Sequence, residues 1–448
     1  MGVVYGSAID QHHGDLVFPL LDNFWSLFTE KEITPQRIIV LVTDQTQFFK
    51  DKASEKNQVF SPYWQDTCTL EPLLRHYLVG KSTVTPEFLT LEADKSGLDN
   101  WNEVLELVQK KLADLKDIPQ NATVYVSHQA GTPAISSAVQ FASLAQFGDR
   151  VEFLVSNEQD KNFTDTVKGG SYLQGIEIQQ VNKLLYWHDY AGAKEVLKRQ
   201  INEIDEQKDN PKRTDEHRKR DEKLRHIAYL LDVATQWNFA KFEDFADKLK
   251  EHPNQAFATE VLERRENWWW TAYEAAYLGV VRLQQGNTVE AMFHSFRAVE
   301  GLLKEWLDKK SGLTVVKGKA QLLRDIEYTN KKGEIKATRL ANAYGKGLYF
   351  ALDSIRSIDK NQHVDIWEFG NSVFDRRNEL FHQLEGLQDK SAVFEEWGTS
   401  DDSSWRNRVM NCLNFIVKDD LPKDVKSPEE ASLMSQVHTE LVESIAQL

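Results

Sequence analysis

A change of pattern near residue 179 constrains this chain more than any other feature. Before it, short apolar runs rich in β-branched residues alternate with helical stretches; after it, the strand-like runs stop. Val3 to Ala8 is a short β-branched run, and Arg37 to Thr43 (RIIVLVT) is a nearly continuous apolar run of the kind buried on both faces of a sheet. Phe88 to Leu91, Thr123 to His128 and Val151 to Ser156 follow, and helical patterns lie between them at Leu16 to Thr29, Trp101 to Leu115 and Pro133 to Phe147. Strands separated by helices of this length predict an α/β unit, a parallel sheet with helices on both faces. Ligands of such folds bind beyond the carboxyl ends of the strands. Here those ends read Gly6, Ser7, Ala8; Thr43, Asp44, Gln45; Ser127, His128, Gln129; and Ser156, Asn157, all small or polar apart from His128.

From about Gln179 the pattern is helical. Val181 to Ile204 reads as one helix, Asp205 to Arg225 is a charged stretch of mixed sign containing Pro211, and His226 to Leu249 is helical again. Mixed charge of this kind fits a solvated loop and helix face better than a nucleic-acid tract. After Pro253 the chain reads as helical to its end, through Phe257 to Gln284, Val289 to Leu307, Ala320 to Ile326, Ala337 to Ile355, Val364 to Leu384 and Ser404 to Val417. Trp268, Trp269 and Trp270 sit inside an apolar pattern, which places them in a core or a dimer interface. The expected division is 1–178, an α/β domain; 179–255, an all-α linker; and 256–448, an all-α C-terminal domain.

Composition limits the partners. The net charge of -15 over 448 residues argues against a broad basic surface for long nucleic acid, so any RNA must be held in a local cleft. Cys68 and Cys412 are too few and too far apart for a disulfide framework or a zinc motif. No secretory pattern opens the chain, and no stretch approaches the roughly 20 apolar residues that span a membrane. The expectation is a cytoplasmic protein without membrane association.

Two motifs carry chemistry. Ser127 to Ala134 follows a buried strand and opens a helix, with Thr132 suited to the N-cap and Pro133 to the first helical position. Free N–H groups at such a start favour an anion, notably a phosphate. A capped helix without any ligand explains the turn equally well, and its single glycine excludes a dinucleotide fingerprint. The second motif is Asp375 to His382. On a helical wheel Phe374, Arg377, Phe381 and Leu384 share one stripe, and Asp375, Asn378 and His382 share another, polar one. Asn378 and His382 thus face one cleft, while Arg377 lies among apolar neighbours and needs a partner, for which Glu300 is a candidate. A surface histidine and a structural arginine explain the same residues.

The segment Arg377, Asn378, Glu379, Leu380, Phe381, His382 resembles the R-N-x-x-x-H signature of HEPN ribonucleases, and Ser295 to Leu303 resembles an early helix of that domain. The turn Gly131, Thr132, Pro133, Ala134 and the stretch His13, Gly14, Asp15, Leu16 resemble a CARF domain, the Rossmann-like sensor of CRISPR systems. Together they resemble the CARF–HEPN ancillary ribonucleases of type III CRISPR antiviral defence. The resemblance implies a homodimer in which a cyclic oligoadenylate acts as allosteric activator. It implies activator contacts at Ser7, Ala8 and Ile9, at Thr43 and Asp44, and at His128, Gln129, Ala130, Gly131 and Thr132. It implies cleavage of single-stranded RNA at Arg377, Asn378 and His382 without metal or other cofactor, by an enzyme that is not a stable subunit of the interference complex. Slow cutting of the activator, with Thr132 as the first suspect, is a further expectation. The rival expectations are a dimeric sensor of the CARF family without nuclease activity, and a DNA-binding regulator using basic residues between Arg213 and Arg225.

Overall fold

A computed structural model describes residues 18–49, 66–93, 97–157, 163–206, 214–329, 333–376, 386–420 and 427–448. The chain divides into two compact units, Met1–Gly175 and Ile176–Leu448. The expected strand at Val3 to Ala8 lies outside the described residues.

The first unit contains α1 (Pro19–Glu30), β1 (Ile39–Asp44), α2 (Glu71–Lys81), β2 (Glu87–Glu92), α3 (Trp101–Ala113), β3 (Val124–Val126), α4 (Pro133–Phe147), β4 (Val151–Val155) and β5 (Asp165–Lys168). β1 and β2 pair in parallel, with Ile39 opposite Glu87 and Asp44 opposite Glu92. β3 and β4 also pair in parallel, with Val124 opposite Val151. β5 runs antiparallel beside β4, a departure from the purely parallel sheet expected; its four residues, Asp-Thr-Val-Lys, are too short and polar to show in the sequence. The two-residue period of the strands sends side chains to two helical layers. Val40 and Val42 pack with Leu74, Tyr77 and Leu78 of α2, whereas Leu41 joins the cluster built by α3 and α4. Phe153 faces that same α3–α4 cluster, and its neighbour Leu154 packs with Phe24, Leu27 and Phe28 of α1. Helices therefore pack on both sides of the strands, but the described strands form two separate sheets, β1–β2 and β3–β4–β5, rather than the one parallel sheet expected.

The start of α4 is set by its sequence. The Thr132 hydroxyl accepts the Ile135 N–H at 3.2 Å, and Pro133, which has no N–H to lose, takes the first helical position. The helix covers the predicted span. The N-cap of α3 is Asn100, whose side chain accepts from the Asn102 and Glu103 N–H groups at 3.2 and 3.4 Å.

The second unit is mostly helical. α5 (Gly170–Tyr186), in which the boundary between units falls, is followed by α6 (Tyr190–Glu206), α7 (Asp215–Asn238), α8 (Phe242–Leu249), α9 (Gln255–Arg265), α10 (Trp270–Gln284) and α11 (Thr288–Lys309). Two expected helices are each broken in two. Val181 to Ile204 is interrupted at His188, which adopts φ 53°, and Asp189 starts α6 by accepting the Gly192 N–H at 2.9 Å. Phe257 to Gln284 is interrupted at the tryptophan cluster: Trp269 and Trp270 enter the core, and the Trp268 indole donates to Asp420 at 2.8 Å. α10 is buried nearly all round, which makes it a central core helix. Residues expected to form a linker share this core, since Leu197, Leu230, Trp237 and Phe245 lie in one cluster with Leu302, Leu413, Val437 and Leu441.

The C-terminal part is not all-α. β6 (Val315–Val316), β7 (Lys319–Thr329) and β8 (Ile335–Asn342) form an antiparallel sheet where helices were expected at Ala320 to Ile326 and at the start of Ala337 to Ile355. A two-residue turn joins β6 to β7, with positive φ at Lys317 (51°) and Gly318 (75°), the pairing that matches the twist of a hairpin. Leu322 and Ile326 are both buried, and a spacing of four satisfies a two-residue period as well as a helical one. The Lys-Gly turn was the signal that separates the two. The chain continues through α12 (Lys346–Arg356), α13 (Val364–Glu368) running into a π-helical turn at Phe369–Val373, α14 (Lys390–Glu396), α15 (Asp402–Val417) and α16 (Leu433–Ala446). At Gly347 a Cβ atom would lie 2.1 Å from the Asn342 carbonyl oxygen. Backbone cannot yield there, so Gly347→Ala is expected to cost about 1–3 kcal/mol or more, read as a lowered urea midpoint; an unchanged midpoint would refute that packing. Among the described residues no helix is long and apolar enough to cross a membrane.

Candidate ligand site and catalytic motif

The carboxyl ends of β1, β2, β3 and β4 are joined by polar contacts that range from buried to exposed. Gln45, 2% exposed after β1, accepts the Leu98 N–H at 3.1 Å through its Oε1, which holds the loop after β2. Thr132, after β3, donates its hydroxyl to the Leu98 carbonyl at 3.2 Å. Leu98 is thereby gripped at both its N–H and its C=O. On the other side, Gln129 accepts the Ser156 N–H at 2.9 Å and ties the end of β3 to the end of β4. Ser156 also accepts from Asn23 of α1 at 2.9 Å.

The residues expected to touch a ligand fall into this frame. Thr43 exchanges hydrogen bonds with Thr67: its N–H donates to the Thr67 hydroxyl at 2.8 Å, and its own hydroxyl accepts the Thr67 N–H at 3.0 Å. Asp44 accepts the Thr46 N–H at 2.9 Å, and the Gln45 N–H donates to Asp66 at 2.8 Å. The His128 ring meets Phe153 edge-on, and burial holds its pKa below the ordinary value, so it is an uncharged ring. Ala130 packs against the apolar cluster of α1, and the Gly131 carbonyl accepts the Ser136 hydroxyl at 3.2 Å. Thr43 and Asp44, the last residues of β1, and His128 through Thr132, in the loop after β3, thus lie at strand ends that polar contacts join; Ser7, Ala8 and Ile9 lie outside the described residues. Sequence reasoning placed Gln45 at a strand end without giving it a contact, and missed Thr67 and Leu98. Nothing in their spacing marks them, because their partners lie 24 to 53 residues away.

Gln45→Leu is expected to leave the Leu98 N–H buried without its acceptor, at a cost of about 1–3 kcal/mol to the first unit. Differential scanning calorimetry reads it; an unchanged transition would show that the contact carries no weight.

Arg377, Asn378 and His382 lie outside the described residues, as does the expected Arg377–Glu300 pair. The helix leading to them is described as far as Arg376. Phe374 is buried against Phe296 and Phe369, while Asp375 faces outward to an ion pair with Lys346 at 2.8 Å; the other members of the two stripes read from the sequence lie outside the described residues. Arg376 donates to the Glu395 and Glu396 carbonyls at 2.7 and 3.0 Å and pairs with Glu368 at 3.0 Å.

Among the described residues, one group of possible metal ligands lies in the second unit. His226, His252 and Glu440 bring their ligand atoms within 4.8 Å of one another. The backbone N–H of Asn254 donates to His252 Nδ1 at 3.1 Å, which places the ring proton on Nε2 and turns it toward Glu440 at 3.1 Å. As arranged, His252 is a hydrogen-bond donor rather than a free ligand, and the three residues tie α7, the start of α9 and α16 together. Two basic residues of α7 are engaged within the unit: Arg220 donates to Gln200 at 2.8 Å, and Lys223 to the Gln447 carbonyl at 3.1 Å.

No family model and no curated protein matches the sequence. Among solved structures, Csm6 of Enterococcus italicus bound to cyclic hexa-2'-fluoro-hexa-dAMP superposes with a TM-score of 0.54, covering 94% of this chain and 95% of that one at 11% identity. The chain has a Csm6-like fold. The likeness spans nearly all of both chains, and the described residues are mostly helical with small sheets. It agrees with the family resemblance read from the two motifs. At 11% identity the likeness is one of fold, and the site rests on the residues above.

Proposed function

We propose that the chain is an endoribonuclease of type III CRISPR defence, switched on by a cyclic oligoadenylate. The observation that carries this reading is the stitched frame of strand ends, within a fold shared with a protein solved in complex with a cyclic oligonucleotide. The first unit is the CARF-like sensor; the helical C-terminal part is the HEPN-like nuclease. The ring's phosphates lie against the loop at Gly131 and Thr132 and the start of α4, where backbone N–H groups and the helix dipole favour negative charge. Ser7, Ala8, Ile9, Thr43, Asp44, His128, Gln129 and Ala130 complete the contact.

Cleavage takes place at Arg377, Asn378 and His382. The RNA 2'-oxygen attacks the adjacent phosphorus, the bond to the 5'-oxygen breaks, and a cyclic phosphate and a 5'-OH result. His382 takes or gives the proton, with an imidazole pKa of about 6.5 suited to both tasks near neutrality. Arg377 stabilises charge on the five-coordinate phosphorus and Asn378 orients the phosphate or the ring. One helix supplies one histidine, so acid and base come from two copies across a two-fold axis, and the enzyme is a homodimer. The same axis suits one ring bound by two sensors. Proton transfer between paired histidines needs no metal. Thr132 serves here as a clamp: its hydroxyl proton goes to the Leu98 carbonyl and its oxygen caps α4, which leaves it poorly placed to attack the ring.

Isothermal titration with cyclic tetra- and hexa-adenylate tests the sensor. The reading predicts saturable binding of one of the two at one ring per two chains; a folded dimer that binds neither contradicts it.

A further inference from the structure

The clamp on Leu98 fixes more than a loop. Leu98 is followed by Asp99, by the N-cap Asn100, and by Trp101 at the first position of α3. Three residues span at most about 10 Å, so Trp101 begins its helix at the same rim of strand ends that Gln45 and Thr132 define. Its indole is 57% exposed. Tryptophan is highly buried on average, and a bare indole loses apolar burial that the fold does not recover elsewhere. Phe163 is a second bare ring near the strand ends, 67% exposed beside Thr164, whose hydroxyl meets that of Ser156 at 2.7 Å; Trp101 differs from two further exposed rings of this unit. Phe141 stands eight residues into α4, about 12 Å along the helix from the rim, and Tyr172 packs edge-on against Phe153.

Resting on the sensor reading above, we propose that Trp101 is a base-stacking residue of the activator site. It receives one purine of the cyclic oligonucleotide on its face, while Gln45 and Thr132, through Leu98, hold the backbone that presents it. Phosphates alone would give a site indifferent to the bases. A stacking indole adds an aromatic contact that every base can use and that purines use best, since they offer the larger π surface. The uncharged His128 ring and Trp101 then give the rim two flat partners rather than two charges, in keeping with a ligand whose charge is met by backbone N–H groups.

The test is titration of the full-length protein with cyclic hexa-adenylate, or with cyclic tetra-adenylate should only that ring bind, using wild type, Trp101→Phe and Trp101→Ala. Trp101→Ala is expected to weaken binding at least fivefold, with Trp101→Phe within about threefold of wild type. Thermal midpoints equal to wild type confirm that the exposed substitutions leave the fold intact, and Trp101→Phe keeps the experiment decisive should the alanine variant unfold. A loss under fivefold in a folded Trp101→Ala, or an equal loss in the phenylalanine variant, overturns stacking while leaving the sensor reading in place. Wild type that binds neither ring overturns both.

Discussion

His382→Ala is expected to abolish RNA cleavage while leaving dimerisation and activator binding as in wild type. Removing a general acid–base group costs about 10²–10⁴-fold in rate. If the two histidines of a dimer act as acid and base, one substitution removes both, and the loss should reach the upper end of that range. Arg377→Ala is expected to be inactive too, through loss of charge stabilisation on the phosphorane. The two variants separate function from structure. A folded, ring-binding and inactive Arg377→Ala places the guanidinium on the phosphate, and an unfolded one places it in the core. RNA cleavage at wild-type rate by His382→Ala would remove the motif from the chemistry altogether.

The second large effect concerns the core of the second unit. Glu274 on α10 is 1% exposed and accepts from the Trp237 indole at 2.8 Å, the Ser432 hydroxyl at 2.5 Å and the Leu433 N–H at 2.7 Å. It joins α7 and the start of α16 to the central helix. Glu274→Ala leaves these three donors without their acceptor and opens a cavity, an expected loss of about 3–5 kcal/mol by chemical denaturation. Burial raises the Glu274 pKa above its ordinary value of 4.5, and the three donors offset that only in part. The folded state therefore holds this proton more tightly than the unfolded chain does. Its contribution to stability is complete below the ordinary carboxylate value and fades as the pH climbs through the raised one. Glu274→Gln keeps one acceptor oxygen, puts an N–H2 donor in place of the other, and has no proton to lose, so the variant should flatten the pH dependence of stability above 4.5. A Gln variant with the wild-type pH profile would show that Glu274 does not titrate across folding.

Much of this was legible in the sequence because the signals were local. Thr132 and Pro133 announce α4 by capping chemistry, and RIIVLVT announces β1 by its unbroken apolar run. α2 was missed, although Leu73, Leu74, Tyr77 and Leu78 repeat at helical spacing and all are buried. Where two structures share a period, the pattern fails. Leu322 and Ile326 fit a helix and a strand alike, and only the positive φ available at Lys317 and Gly318 decides for the hairpin. Helix breaks at His188 and Trp268 were hidden because the apolar period continues across them and tertiary packing does the breaking. In the candidate site, Thr43, Gln45 and Thr132 stood out as polar residues near strand ends, whereas Thr67 and Leu98, which hold them, do so from far along the chain.

One assay bears on the central claim most directly: cleavage of a fluorophore–quencher single-stranded RNA in the presence of a chelator, with and without cyclic tetra- and hexa-adenylate. The account predicts that cleavage appears only with the ring that binds, leaves 2',3'-cyclic phosphate ends, and vanishes in His382→Ala. A dimer that binds its ring and leaves the RNA intact would contradict the nuclease assignment and leave a sensor in its place.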